Sequence, residues 1–257
     1  MRTILAALGL ILFFLITLPL YLILLCFQKK HRKGVTRIAQ KTVKIGFTFI
    51  LGLTGNRPII KGLENIPRDR GVLFVSNHRS LLDAALAYMS LPVSTGFISK
   101  IEVKKVPFLS WWMRLVNCLF LDRDDMRAGM KVILQGIDDV KNGYSIFIAP
   151  EGTRNREALE PLPFKEGSLK IADKTGCPIV PVAISGTDDM FENSFPWFKK
   201  VTTVIEYGTP IDPNALSSEE RKFMGAHCRD IIIEMMKGHE SYVKNNPYFK
   251  KQNSGKE

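Results

Sequence analysis

Cysteine is scarce in this sequence and follows no pattern. Cys26, Cys118, Cys177 and Cys228 stand far apart, no C-x-x-C pair occurs and no histidine cluster lies beside them. That excludes a zinc site of the usual spacing and a disulfide framework, and fits a reducing compartment. No internal repeat is found. Acidic residues are outnumbered, 25 against 36 Lys and Arg, which leaves a formal charge of +11 at pH 7. Such an excess fits an anionic partner, whether lipid surface, phosphorylated substrate or nucleic acid, and charge alone does not choose among them.

What the chain has in quantity is apolar sequence: 46% of its 257 residues are hydrophobic. The N-terminal run 4–27 is almost uninterrupted, softened by Thr17, Pro19 and Tyr21. A bilayer core takes about 20 apolar residues in a helix, so this run is long enough to span with some tilt. It is too long for a typical cleaved signal, and no small-x-small site comes after it, so an uncleaved anchor is expected. Gln28-Lys29-Lys30-His31-Arg32-Lys33 comes next, against a single Arg2 on the other side. The asymmetry places the domain beyond it on the cytoplasmic face, and the basic run suits anionic head groups. A second apolar stretch, 43–53, is too short to span and carries Lys44; it either lies in the interface or pairs with the first helix as a hairpin. The expected organisation is an anchor over 1–54, one domain over 55–244 and a polar, basic tail over 245–257.

Within that domain short apolar runs alternate with helical periodicity. Strands are expected at 58–61, 72–76, 96–99, 118–122, 145–149, 179–184 and 202–207, and helices at 81–89, 107–116, 126–141, 166–174 and 217–244. Alternation of this kind predicts an α/β fold, a largely parallel or mixed sheet flanked by helices, behind an N-terminal hydrophobic helix or helical hairpin. Pro178 stands directly before the sixth apolar run and Pro181 within it, which marks it as an edge or a bent strand wall.

Four stretches carry candidate chemistry. Asn77-His78-Arg79-Ser80-Leu81-Leu82-Asp83 lies where a strand hands over to a helix. There Asp83 can fold back on His78, fixing its tautomer and leaving the other ring nitrogen to take a proton. The same letters also read as an ordinary capping box, and both readings stand at this point. Arg123 comes directly after the run 118–122, and residues just past strand ends line the ligand crevice of α/β folds; a surface Asp122-Arg123 pair is the plainer alternative. Glu151-Gly152-Thr153-Arg154 comes after a strand stopped by Pro150. Gly152 allows close backbone approach, Thr153 offers a hydroxyl and the Arg154 fork suits phosphate. The fourth is the proline-bearing run Ile179-Val180-Pro181-Val182, which either shapes an apolar pocket or is only core. Trp111 and Trp112 serve either a head-group layer or core packing.

In this order, on one α/β domain behind an anchor, these stretches resemble the 1-acyl-sn-glycerol-3-phosphate acyltransferases over most of 57–212. The His-x4-Asp motif is matched by His78 and Asp83, the strand ending in Arg by Phe120-Leu121-Asp122-Arg123, and Glu-Gly-Thr-Arg stands intact at 151–154. The resemblance implies that His78, oriented by Asp83, deprotonates the 2-hydroxyl of a lysophosphatidate as that oxygen attacks an acyl thioester. No acyl-enzyme is needed, since Ser76 and Ser80 lack any other sign of activation. It also implies that Arg123 and Arg154 hold the phosphate, that Glu151 orders the arginines or the glycerol, that Gly152 and Thr153 line the substrate, and that Lys100 joins the cluster. No bound cofactor or metal is expected. The expected partners are membrane phospholipid, lysophosphatidate and a thioester of acyl-carrier protein or coenzyme A, with no nucleic acid. Alternatives are the same chemistry on glycerol 3-phosphate or another lysophospholipid, and a membrane-tethered lipid-binding protein without turnover.

Overall fold

Seven apolar runs become seven strands: β1 (Ile59–Lys61), β2 (Leu73–Ser76), β3 (Thr95–Lys100), β4 (Leu119–Leu121), β5 (Ser145–Ile148), β6 (Ile179–Ser185) and β7 (Val204–Tyr207). They form one sheet in the order β1-β7-β6-β2-β5-β3-β4. This computed structural model describes residues 1–156 and 160–243, so the expected tail lies outside the described residues. Strands β6, β2, β5, β3 and β4 run parallel, whereas β7 is antiparallel to β6 and carries β1 with it. The sheet is therefore mixed, flanked by helices on both faces.

Side chains alternate across the central strands and build two cores. Phe74, Phe147, Val180 and Val182 point to one face, with Phe97 stacked on Phe147 at 4.5 Å. Leu73, Val75, Ile146, Ile148 and Ile179 point to the other. Covering the first face are α1 (Arg2–Phe27), α2 (Arg32–Leu53), α3 (Leu82–Ser90) and α4 (Leu109–Leu115). The second is covered by α5 (Met126–Lys141), α6 (Lys170–Thr175) and, after the short α7 (Thr187–Met190), α8 (Met224–Val243). Two expected helices are divided: a 3-10 turn at Glu166–Leu169 precedes α6, and another at Glu220–Phe223 precedes α8.

The sixth strand corrects the edge alternative drawn from its prolines. β6 is buried at every position and lies between β2 and β7 rather than at an edge. Pro181 is tolerated because it sits at a break in the pairing, between the antiparallel bridge of Ile179 with Ile211 and the ladder that starts at Val182 with Tyr207. The proline carbonyl still accepts from the Gly208 amide at 2.8 Å, so only the missing donor goes unused.

Helices α1 and α2 form an antiparallel hairpin whose close approach depends on two glycines. A Cβ at Gly9 would come within 2.6 Å of Leu53, and one at Gly46 within 2.5 Å of the Phe13 ring. The second helix is much longer than the apolar stretch 43–53. Lys33, Arg37 and Lys41 recur every fourth residue on its exposed side while Val35, Ala39 and Val43 face the core, so the polar letters belong to an amphipathic helix and not to a linker. Of the described helices, α1 is the one long and apolar enough to cross a membrane, by length and composition. Its inner side packs on α4, with Phe13 at 6.2 Å from Trp112 and Tyr21 stacked on Trp111 at 5.6 Å. Both tryptophans thus serve this packing, and Trp112 is buried. At the hairpin turn Arg32 points inward, donating to buried Asp139 at 2.6 Å and to Asn117, with its guanidinium 4.9 Å over the Tyr144 ring.

Candidate active site

Strands β6, β2 and β5 end at one edge of the sheet, and the loops that leave them meet there. Asn77, the first residue past β2, grips the end of β6 at two points: its side-chain amide donates to the Ile184 carbonyl and its oxygen accepts from the Ile184 amide, both at 2.8 Å. The next backbone amide, that of His78, donates to Glu151 Oε1 at 2.6 Å, and the His78 carbonyl accepts from Asn155 N at 2.9 Å. His78 therefore sits in a loop fixed from both neighbouring strands.

The ring is fixed as well. Nδ1 lies 2.9 Å from Asp83 Oδ2, and the same oxygen accepts from the backbone amides of Arg79 and Ser80 at 2.9 Å each. Asp83 Oδ1 accepts from the buried Thr187 hydroxyl at 2.6 Å. The two sequence readings thus coexist, because the carboxylate caps the turn and holds the imidazole at once. A carboxylate on Nδ1 favours the tautomer with the proton there and the lone pair on Nε2. Nε2 has no partner among the described residues, and the side chain is 26% exposed. A partly exposed imidazole with an unoccupied basic nitrogen is suited to accept a proton from a hydroxyl placed against it.

Arginine and glutamate extend the site. Arg79 turns away from solvent and forms a buried pair with Asp188, Nε and Nη2 both reaching Oδ2 at 2.9 and 2.7 Å. Arg154, half-buried, places Nη1 3.4 Å from Glu192 Oε1. Glu192 accepts from the Leu81 amide on that same oxygen at 2.8 Å, and from the Ser80 hydroxyl on Oε2 at 2.6 Å. One carboxylate therefore ties the guanidinium of the Glu-Gly-Thr-Arg turn to the His78 loop. Sequence reasoning missed Thr187, Asp188 and Glu192. They lie more than 100 residues beyond Arg79, Ser80 and Asp83, which they hold, and share no motif with them.

The remaining expected site residues fall into two groups along this edge. Glu151 is buried with both oxygens engaged by backbone, Oε2 accepting from Leu162 N at 2.8 Å. It braces the two loops and orders neither arginine, which leaves the glycerol as the other expected partner; burial pushes its carboxyl above the ordinary range. Gly152 takes the left-handed conformation its turn requires (φ 72°), and a Cβ there would come 2.8 Å from Lys165 Nζ, so the space beside it holds a cation that the sequence reading did not single out. Thr153 is exposed beside it. Arg123 and Lys100 form the second group, at the ends of β4 and β3. Lys100 pairs with Glu102 at 2.5 Å, and the Arg123 charge helps to hold the Glu102 carboxyl below its ordinary value, after Lys100 and a backbone hydrogen bond. With β5 and β3 between β2 and β4, three strand spacings put Arg123 about 14 Å sideways of the His78 strand.

Comparison with known proteins gives a consistent result. Residues 57–185 match the family model described as Acyltransferase. The crystal structure of the 1-acyl-sn-glycerophosphate (LPA) acyltransferase PlsC from Thermotoga maritima is similar over 92% of this chain and 98% of that one, with 31% identity and a TM-score of 0.67. A 1-acyl-sn-glycerol-3-phosphate acyltransferase of Borreliella burgdorferi is 29% identical over 186 residues, 72% of this chain and 74% of that protein. The chloroplastic 1-acyl-sn-glycerol-3-phosphate acyltransferase BAT2 of Brassica napus is 40% identical over 129 residues; the match spans 50% of this chain and 37% of the Brassica protein.

Proposed function

Since this chain belongs to the acyltransferase family, we propose that it moves a fatty acyl group from a thioester to the 2-hydroxyl of 1-acyl-sn-glycerol 3-phosphate, giving phosphatidic acid. The observation that carries the proposal is the His78–Asp83 pair with Nε2 unoccupied, next to the loop that holds Arg154. The acceptor hydroxyl gives its proton to Nε2 as its oxygen attacks the thioester carbonyl. The new ester bond forms, the carbon–sulfur bond breaks, and the imidazolium returns the proton to the departing thiolate. Asp83, held by three further donors, stabilises the imidazolium between the two transfers. Arg154 takes the acceptor phosphate, and Lys165 beside Gly152 adds positive charge. Holding phosphate and thioester in register lowers the barrier further, since much of a bimolecular barrier is entropic.

The donor is acyl-carrier protein or coenzyme A, whose thiol leaves with the chemistry, and no bound cofactor or metal is assigned. The protein attaches to the cytoplasmic leaflet. Packing of Phe13, Tyr21 and Leu24 on the domain supports a hairpin that lies along one leaflet over a helix that leaves the domain to cross the bilayer. An activity matrix of purified enzyme, with both donors against lysophosphatidate, glycerol 3-phosphate and lysophospholipids of larger head group, tests the assignment. Transfer to lysophosphatidate should exceed the others; a clear preference for a different acceptor would overturn it. Arg154→Ala should raise the acceptor KM, and an unchanged KM would remove the phosphate role.

A further inference from the structure

Between Glu192, which touches the His78 loop, and β7 the chain makes a turn whose tip is aromatic and exposed. Phe195 is 73% and Trp197 54% exposed, and beyond Phe198 come Lys199 and Lys200, both exposed. The turn is stiff at its base: Phe191 stacks on Phe198 at 4.6 Å, the Trp197 amide donates to Ser194 O at 2.8 Å, and Lys199 N donates to Met190 O at 2.9 Å. Two large apolar rings presented on a braced turn cost burial free energy while they face water.

We infer that this tip, Phe195 to Trp197, is a second membrane-docking surface that inserts into the head-group layer beside the acceptor site. The inference rests on the membrane-attached acyltransferase reading above. Three observations favour a bilayer as the occupant. The tip is continuous with the apolar hairpin, because Phe198 N donates to Thr3 Oγ1 at 2.8 Å at the start of α1, whose neighbouring Ile4, Leu5 and Leu8 are exposed. Its composition, Trp and Phe ahead of two lysines, matches what settles at the boundary of anionic lipid. Its base carries Glu192, bonded to Ser80 and Leu81 and paired with Arg154, so the same segment reaches from the lipid surface to the groups that would receive a lipid phosphate. An acceptor leaving the bilayer along this turn would meet Arg154 without passing through water.

The full chain reconstituted in vesicles of phosphatidylglycerol and phosphatidylethanolamine tests this directly. Tryptophan emission of the wild type minus that of Trp197→Phe isolates the tip. It should be quenched by lipids brominated on their chains and shielded from iodide. Phe195→Ala with Trp197→Ala should lower transfer to vesicle-borne lysophosphatidate by roughly tenfold, the scale of one such ring losing partial burial. Transfer to a short-chain, water-dispersed lysophosphatidate should be unchanged. Iodide access to Trp197 in vesicles, or equal loss with both acceptors, would overturn the inference. Shielding without bromine quenching would also overturn it, in favour of contact between two copies of the chain. Bromine quenching of Trp197 in a wild type that acylates neither acceptor would uphold the docking surface and defeat the enzymatic reading instead.

Discussion

Replacing Asp83 by Asn removes one charge and little else. The oxygen that meets the imidazole, Oδ2, also takes the amides of Arg79 and Ser80, so the asparagine oxygen will occupy that position and keep all three bonds. Its NH2 group then faces the Thr187 hydroxyl, which can turn and accept. The tautomer of His78 and the shape of the loop survive, and what is lost is attraction between carboxylate and imidazolium. At an effective dielectric of about 20, unit charges about 4 Å apart interact by about 4 kcal/mol. Allowing for partial charge development, the expected fall in kcat is between about a hundredfold and a thousandfold. The acceptor KM and the melting temperature should change little. The assay is steady-state acylation of lysophosphatidate beside a thermal melt. A loss under tenfold with the fold intact would show instead that Asp83 caps the turn without assisting proton transfer.

The same geometry sets further expectations. Glu192→Ala leaves the Leu81 amide and the Ser80 hydroxyl without their acceptor and releases Arg154, so acceptor KM should rise several-fold. Glu192→Gln, whose oxygen still accepts from the Leu81 amide while its NH2 group can donate to the Ser80 hydroxyl, should restore most of the affinity; equal loss in the two variants would mean that the negative charge rather than the hydrogen bonds matters. His239 of α8 is buried, with Nδ1 at 2.9 Å from Ser185 Oγ, Nε2 at 2.9 Å from Glu206, and Lys61 beyond. Burial holds its folded pKa below the ordinary 6.5 despite Glu206. Its contribution to stability is therefore complete above about pH 6.5 and is lost as pH falls through that value toward the folded pKa. Melting temperatures between pH 7.5 and 5 should drop more for the wild type than for His239→Gln, and parallel curves would contradict this.

Much of the sheet is legible because its strands are short apolar runs bounded by turns. The bounds of α5 match the expected 126–141, since Asp125 caps it through the Arg127 and Ala128 amides at 2.8 and 3.0 Å. Two readings fail for identifiable reasons. Charges at every fourth position hide α2 from a search for apolar runs, and Pro181 reads as an edge signal although the lost donor costs little where the pairing is already interrupted. In the site, the His78–Asp83 contact is legible because it is local, five residues along one turn. Arg123 and Lys100 are readable as strand-end cations, but whether they face His78 depends on strand order, and β5 and β3 intervene. Thr187, Asp188 and Glu192 become visible only when β6 is placed beside β2, which no local pattern encodes.

In this mechanism His78 Nε2 is the base that frees the acceptor oxygen. Single-turnover transfer of a labelled acyl chain from its thioester to lysophosphatidate, wild type against His78→Ala, measures that role without the complication of product release. The expected result is a loss of about 10²–10⁴-fold or more, with an unchanged melt and no acyl-protein adduct trapped in the wild type. Transfer by His78→Ala within a few-fold of the wild type, or an acyl group found on a serine of the protein, would contradict it.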